Sequence, residues 1–163
     1  MLQWLKRISS PAARAASAEQ ATVRQYRLTR KLGEGGMGVV FEARDDRRDR
    51  LVAIKRLRPM DSHPSLKERL LREARVAAKI SHPNVCQVYE LAEENGELFV
   101  VMELLDGETL AGRIERGAVP LAEALQTALG VVAALEALHS RGIIHRDLKP
   151  SNIFLTPTGV KLL

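Results

Sequence analysis

The sequence predicts an α+β domain in which an antiparallel sheet precedes a mainly helical region. Five segments have strand-like patterning, and a single helical segment lies among them. Two further helical segments and a short hairpin follow. Strands and helices do not alternate regularly, so a parallel doubly wound sheet is not expected. The 163 residues are 45% hydrophobic, which is enough for a sizeable core.

Three strands open the predicted domain. Tyr26, Leu28 and Leu32 have the even spacing of a half-buried strand, and residues 39–43 and 51–57 form the second and third strands. The preceding residues are rich in Ala, Ser and Arg and carry Pro11. We therefore expect a flexible tail over residues 1–25 and one domain over residues 26–163.

A helix and two more strands complete the predicted sheet region. Ser65 is suited to cap a helix over residues 65–80, with Glu68 completing a capping box. The segment His82-Pro83-Asn84 ends that helix, because proline cannot continue it. Strands follow over residues 85–92 and 98–104, joined by an Asn-Gly turn.

The remaining residues are mainly helical. Residues 109–116 predict a short helix and residues 121–140 a long one, followed by a small hairpin over residues 153–163. The long helix is apolar on nearly all sides, which predicts that neighbouring elements cover it all round.

Composition limits the partners and the compartment. The net charge is +5, but the densest arginine run, residues 44–50, is interrupted by aspartates and is expected to be a solvated turn, with no nucleic-acid partner. The single cysteine, Cys86, excludes an internal disulfide and indicates a reducing, cytoplasmic compartment. Its apolar neighbours predict that it is buried. No uninterrupted apolar run reaches the roughly 18 residues of a membrane span.

A glycine-rich loop follows the first strand. Residues 33–38 fit the pattern G-x-G-x-x-G, which occurs in dinucleotide-binding folds and in structural hairpins. In a dinucleotide fold the third glycine opens a helix, whereas Gly38 runs into Val39, Val40 and Phe41, which favour a strand. The loop is therefore expected to join two antiparallel strands, where its backbone N–H groups can approach phosphate oxygens. No Gly-Lys-Ser/Thr follows, which excludes a P-loop.

A lysine on the third strand can contact phosphates beside that loop. Alternation along residues 52–55 places Ala53 and Lys55 on one face. Lys55 can be an ordinary charge on an edge strand. Glu73, however, lies on the buried stripe of the 65–80 helix, and a buried carboxylate needs a cation. We expect Lys55 to be that cation.

The most specific segment is His-Arg-Asp-Leu-Lys-Pro-Ser-Asn at residues 145–152, after a helix end marked by Gly142. Its carboxylate Asp147, ammonium Lys149 and amide Asn152 can accept a proton, neutralise a phosphate and bind a metal. With the glycine loop, Val-Ala-Ile-Lys, Glu73 and Met-Glu-Leu-Leu at residues 102–105, this segment makes the chain resemble eukaryotic-like, bacterial-type serine/threonine protein kinases over residues 26–163.

The resemblance implies a kinase-like fold with a five-stranded small lobe over residues 26–105 and part of a large lobe over residues 106–163. It implies ATP and Mg²⁺ as cofactors and a protein Ser/Thr hydroxyl as acceptor. Asp147 would accept the hydroxyl proton, Lys149 would stabilise the phosphoryl group and Asn152 would bind Mg²⁺. Lys55, held by Glu73, would contact the phosphates. The ATP-contacting residues would be Leu32, Gly33, Glu34, Gly35, Gly36, Met37, Gly38, Val40, Ala53, Lys55, Met102, Glu103, Leu105 and Phe154.

The end of the sequence departs from the family pattern. Kinases of this type place Asp-Phe-Gly directly after a strand like residues 160–163, and that aspartate is the second magnesium ligand. We therefore expect the chain to be the N-terminal portion of a kinase domain. Two alternatives stay open: a catalytically inactive fragment that binds nucleotide or a partner, and an unstable fragment without function.

Overall fold

A computed structural model describes residues 22–35, 38–57, 78 and 80–163. These residues form two compact units. The sheet unit contains the described residues up to 78 together with Val88–Leu104. The helical unit contains Ile80–Gln87 and Leu105–Leu163. Residues 1–21 of the expected tail, most of the expected helix over residues 65–80, including Glu73, and the loop residues Gly36 and Met37 lie outside the described residues.

The sheet unit is a six-stranded antiparallel sheet with the strand order β1-β2-β3-β4-β6-β5. The five predicted strands are confirmed, and a two-residue strand precedes them. Val23 of that strand pairs with Tyr26 across a tight turn in which Arg24 has a φ of 53°. The strands are β1 Thr22–Val23, β2 Tyr26–Gly35, β3 Gly38–Asp45, β4 Arg50–Leu57, β5 Val88–Glu94 and β6 Glu97–Glu103.

One face of this sheet forms a hydrophobic core. The alternation of β4 places Val52 and Ile54 in that core, beside Val101 of β6. Ala53 and Lys55 take the opposite face. The buried members of the core are Val23, Tyr26, Leu28, Ala43, Val52, Ile54, Ala92, Phe99 and Val101.

The helical unit contains two α-helices and a three-stranded sheet with the strand order β7-β8-β9. Thr109 caps the first helix, because its Oγ1 accepts a hydrogen bond of 3.1 Å from the Gly112 amide. The second helix ends before Gly142, whose φ of 70° suits a glycine. The elements are β7 Glu108–Thr109, α1 Leu110–Glu115, α2 Leu121–His139, a short 3-10 helix Pro150–Asn152, β8 Ile153–Thr156 and β9 Gly159–Leu162.

Helix α2 packs through one face only. Its buried residues Thr127, Val131, Ala134 and Leu138 recur at helical spacing, and the last three join a core with Ile80 and residues of β8 and β9. Leu121, Leu125, Leu129 and Val132 are instead 55–75% exposed. Among the described residues the expected all-round cover is therefore not found. The helix is long and apolar enough to cross a membrane, but core helices of soluble proteins meet the same criterion.

Residues 85–87 do not continue the strand β5, although the sequence predicts a strand from residue 85. Val85 forms a parallel bridge with Leu162 of β9, and the Cys86 amide donates to the Leu162 carbonyl at 2.8 Å. Cys86 is buried, as predicted. The segment Ile80–Gln87 is therefore bonded to the last strand of the helical unit.

Candidate active site

The carboxylate of Asp147 is the centre of the loop between α2 and β8. Lys149 Nζ donates to both carboxylate oxygens at 2.9 Å. Asn152 Nδ2 donates to the Asp147 carbonyl at 2.7 Å and to Oδ2 at 3.0 Å. Three hydrogen bonds to the carboxylate therefore fix its position, and two of them come from an ammonium group. The structure thus brings together Asp147, Lys149 and Asn152, the three polar groups selected from this loop.

Asn152 has an acceptor available for a metal ion. Its side chain is fully buried, and its Oδ1 has no hydrogen-bond partner among the described residues. The amide orientation follows from the hydrogen bonds, because the reverse orientation would set an oxygen against two acceptors of Asp147. A buried acceptor without a partner costs about 1–3 kcal/mol. Amide oxygen is a ligand suited to Mg²⁺, so Oδ1 fits the expected ion.

His145 supports the same loop through two hydrogen bonds of its buried imidazole ring. It is buried, its Nδ1 accepts from the Asp147 amide at 3.3 Å, and its Nε2 bonds the Leu163 carbonyl at 2.7 Å. Because Nδ1 accepts, Nε2 carries the proton of a neutral imidazole. Burial lowers the pKa of His145, although the Leu163 carbonyl and the Asp147 charge oppose the shift. This supporting role of His145 was not predicted from the sequence.

Lys55 lies on the face of the sheet opposite the hydrophobic core. The register pairs Lys55 with Val40 of β3 and Val100 of β6, and it pairs Ala53 with Met102. Opposed residues of antiparallel strands share a face. Val40, Ala53, Lys55 and Met102 therefore lie together on one face, and all four are buried. This placement agrees with the face predicted from alternation.

The glycine loop joins two antiparallel strands, as predicted, because Gly35 of β2 pairs with Gly38 of β3. Gly38 has a φ of 142°, and a Cβ there would lie 2.0 Å from the Arg56 carbonyl oxygen. The close approach of β4 therefore requires glycine at the third position of the motif. Leu32 and Gly33 lie where the register of β2 shifts, and Glu34 pairs with Val39.

The remaining predicted nucleotide-contacting residues lie near the ends of strands. Glu103 is the last residue of β6, and Leu105 is the first residue of the second segment of the helical unit. Phe154 is buried in β8 between Thr109 and Lys161. Their contacts with a nucleotide stay predictions.

Asn84 has a structural role beyond the predicted helix end. Its Nδ2 donates to the Val160 carbonyl at 2.8 Å, and its carbonyl accepts from the Leu162 amide at 2.8 Å. Its own amide donates to His82 Nδ1 at 3.1 Å. The available signal was an asparagine after proline, a residue whose side chain commonly bonds backbone groups.

Comparisons with known proteins agree with this geometry. A family model described as "Protein kinase domain" matches residues 26–163. Over 142 residues the chain is 42% identical to serine/threonine-protein kinase PknA of Mycobacterium tuberculosis, covering 83% of this chain and 33% of that protein. Over 140 residues it is 39% identical to serine/threonine-protein kinase PknD of the same organism, covering 85% of this chain and 21% of that protein.

Solved structures show the same fold. The crystal structure of the M. tuberculosis PknI kinase domain superposes with a TM-score of 0.82 at 31% identity, covering 90% of this chain and 60% of that one. The chain thus spans a third or less of PknA and PknD, and about three fifths of the PknI kinase domain. The family match extends from the first predicted strand to the last residue. The chain belongs to the protein kinase domain family.

Proposed function

We propose that this protein transfers the γ-phosphoryl group of ATP to serine or threonine hydroxyls of protein substrates. The observation that carries the proposal is the Asp147 carboxylate held by Lys149 and Asn152. The relatives PknA and PknD are named serine/threonine-protein kinases, which supports the same class of acceptor.

In the proposed reaction Asp147 orients the acceptor hydroxyl and accepts its proton. ATP with Mg²⁺ supplies the transferable phosphoryl group and neutralises part of its charge. Asn152 acts twice, because Nδ2 holds Asp147 while the buried Oδ1 is available to Mg²⁺. Lys149 Nζ bonds the Asp147 carboxylate, so its positive charge would stabilise negative charge that develops beside that carboxylate during transfer.

We assign nucleotide contacts to the buried face of the sheet unit. Ala53 carries a small side chain that leaves room for a flat base, and Lys55 on the same face can reach the phosphates. Glu73 is proposed as the partner that holds Lys55. The loop formed by residues 33–38 would cover the phosphates through its backbone N–H groups.

Phosphoryl transfer to a generic peptide with one serine and one threonine tests the proposal. The purified chain is incubated with γ-labelled ATP and Mg²⁺, and the label in the peptide is counted. Asp147→Asn keeps the size of the side chain but removes the base, so transfer should fall about 10²-fold or more. Arg141→Ala, a charge change on the exposed surface, serves as the control. Transfer that persists in Asp147→Asn contradicts the role of Asp147.

A second candidate function is nucleotide binding without transfer. Among the residues that the structure describes, no group of three His, Cys, Asp or Glu side chains is suited to hold a metal ion. Magnesium sites in proteins commonly use one or two carboxylates together with substrate phosphates. Asn152 is an amide, so it contributes no charge to such a site.

Calorimetric titration with ATP and Mg²⁺ separates the two functions. Lys55→Met should weaken ATP binding about tenfold or more, because one charge-assisted contact is lost. Arg56→Met is the matched control, since Arg56 follows Lys55 on β4, is exposed and pairs with Glu97. ATP binding with no label transfer favours the second candidate, whereas transfer abolished by Asp147→Asn excludes it. A cytoplasmic location also stays a proposal, which cell fractionation can test.

A further inference from the structure

A polar cavity of about 300 Å³ lies in the sheet unit, on residues that the kinase reaction proposed above does not use. The turn between β3 and β4 and the start of β2 form its walls, and β5 closes one side. This cavity, the arginine pocket, is lined by Arg24, Gln25, Tyr26, Asp45, Arg47, Arg48, Arg50, Tyr89 and Glu90. Its volume is at the lower end of the range for small-molecule sites.

The two carboxylates that line the arginine pocket are already engaged. Asp45 is 1% exposed, accepts from the Arg47 amide at 3.3 Å and pairs with Arg50 Nε at 3.4 Å. Glu90 accepts from Arg24 Nη1 at 2.5 Å and from the Tyr26 hydroxyl at 2.8 Å. Burial raises the pKa of Tyr26 to about 12, so its hydroxyl stays protonated and continues to donate.

The aspartates near the turn do not pair with the side chains of Arg47 and Arg48. Residues 46–49 form an exposed turn, as predicted from the aspartates that interrupt the arginine run. Asp46 pairs with Arg27 at 2.9 Å, outside the arginine pocket, and Asp49 pairs with Arg44. Each aspartate of the run therefore pairs with the guanidinium group of an arginine other than Arg47 and Arg48.

The guanidinium groups of Arg47 and Arg48 are available to bind a ligand. Across the part of the chain that the structure describes, neither side chain makes a hydrogen bond or an ion pair. The turn that carries them is fixed, because the Arg48 amide donates to the Asp45 carbonyl at 3.2 Å. Beside them, Arg50 lies with its guanidinium carbon 3.6 Å from the centre of the Tyr89 ring, which limits its movement.

Four arginines and two carboxylates line the cavity, so the lining has two excess positive charges. A phosphate monoester carries up to two negative charges and three oxygens, and each guanidinium can bond two of those oxygens. We infer that the arginine pocket binds a phosphate monoester, with Arg47 and Arg48 as its principal contacts. A single carboxylate would match only half of the excess charge.

Nuclear magnetic resonance titration of the ¹⁵N-labelled chain tests this inference. Glycerol 3-phosphate is added, and the amide shifts of Arg47 and Arg48 give one dissociation constant while those of Gly33 and Gly35 report separately on the glycine loop. We expect saturable shifts at the turn. The double variant Arg47→Ala/Arg48→Ala should weaken binding at least about tenfold, because two charge-assisted contacts are lost.

Two further variants control for charge. Arg30→Ala/Arg141→Ala removes the same charge from exposed positions outside the arginine pocket and should leave the affinity within about twofold. Arg47→Lys/Arg48→Lys keeps the charge but loses the paired donors, so it should bind with intermediate affinity. Shifts at the turn that do not saturate, or an unchanged affinity in the double alanine variant, would overturn the inference.

A second titration identifies the source of the phosphate. A short phosphoserine peptide and its unphosphorylated form are compared with glycerol 3-phosphate. Tighter binding of the phosphopeptide assigns the arginine pocket to a phosphorylated protein segment, and tighter binding of glycerol 3-phosphate assigns it to a small metabolite. Equal binding of the two phosphorylated probes supports recognition of the phosphate group alone. Equal binding of the phosphorylated and unphosphorylated peptides overturns the inference.

Discussion

His145 and Leu163 are joined by a buried hydrogen bond of 2.7 Å between the imidazole Nε2 and the backbone carbonyl. A second bond, of 2.9 Å, runs from the Leu163 amide to the carbonyl of Asn152. The residue after β9 is therefore attached at both of its backbone polar groups to the segment that carries Asp147. Any change in the charge of His145 acts directly on this attachment.

Acidification should destabilise the chain through His145. Burial lowers the pKa of His145 below its usual value of about 6.5, so the unfolded chain binds a proton more readily than the folded chain. The free energy of unfolding contributed by this group is fully present above pH of about 6.5 and is lost as the pH falls below it. Urea denaturation at several pH values from neutral to mildly acidic measures the slope of the free energy of unfolding against pH.

His145→Gln should reduce that slope, because glutamine does not titrate. His139 is exposed at the end of α2, so His139→Gln is the matched control and should keep the slope of the original chain. Equal slopes for the original chain and His145→Gln would show that the buried imidazole does not cause the pH dependence.

Asn152→Ala should affect both stability and magnesium dependence. The substitution leaves two Asp147 acceptors without a donor and opens a small cavity. Removal of the Oδ1 atom that has no partner offsets part of this loss, so the free energy of unfolding should fall by about 1 kcal/mol. Because Oδ1 is removed, the increase of ATP affinity on adding Mg²⁺ should also shrink. Thermal denaturation and calorimetric titration measure the two effects. Ser151→Ala, at the neighbouring position, should change neither, and a full magnesium effect in Asn152→Ala would contradict the assigned ligand.

Gly130→Ala should destabilise the helical unit although alanine favours helices. A Cβ at residue 130 would lie 2.9 Å from Val160 Cβ and 3.3 Å from Asn84 Nδ2. Crowding of this kind costs about 1–3 kcal/mol, whereas replacing glycine in a helix gains about 1 kcal/mol. We expect a net loss of roughly 1 kcal/mol in thermal denaturation.

Gly112→Ala in α1 is the matched control for that substitution. The nearest atom to a Cβ at residue 112 is Thr109 Oγ1 at 3.5 Å, an ordinary contact. This variant should therefore gain roughly 0.5–1 kcal/mol. If both glycine variants gain stability, α2 and β9 are less closely packed than the structure indicates.

Local patterns predicted the parts of the molecule that depend on neighbouring residues. Period-two alternation placed Ala53 and Lys55 on one face of β4, and the β-branched residues after Gly38 showed that the glycine loop enters a strand. The polar groups of residues 145–152 converge because they are close in sequence and the segment turns sharply, with a φ of 61° at Arg146.

Contacts between distant residues were not predictable in the same way. Nothing near Asn84 in the sequence indicates that its partner is Val160, and nothing near His145 indicates Leu163. Helix α2 shows the same limit, because its composition is apolar on both sides and periodicity cannot tell which side is packed. Such choices depend on which surfaces meet in three dimensions, and a single sequence does not encode them as a local pattern.

The bonds between residues 80–87 and β9 have a consequence for the order of events during synthesis. Asn84 and Val160 are separated by 76 positions. At about 5–20 residues per second, a ribosome needs roughly 4 to 15 s to make that stretch. For this interval the backbone polar groups of residues 84–86 exist without their final partners in β9, so water or other groups must satisfy them until that strand is made.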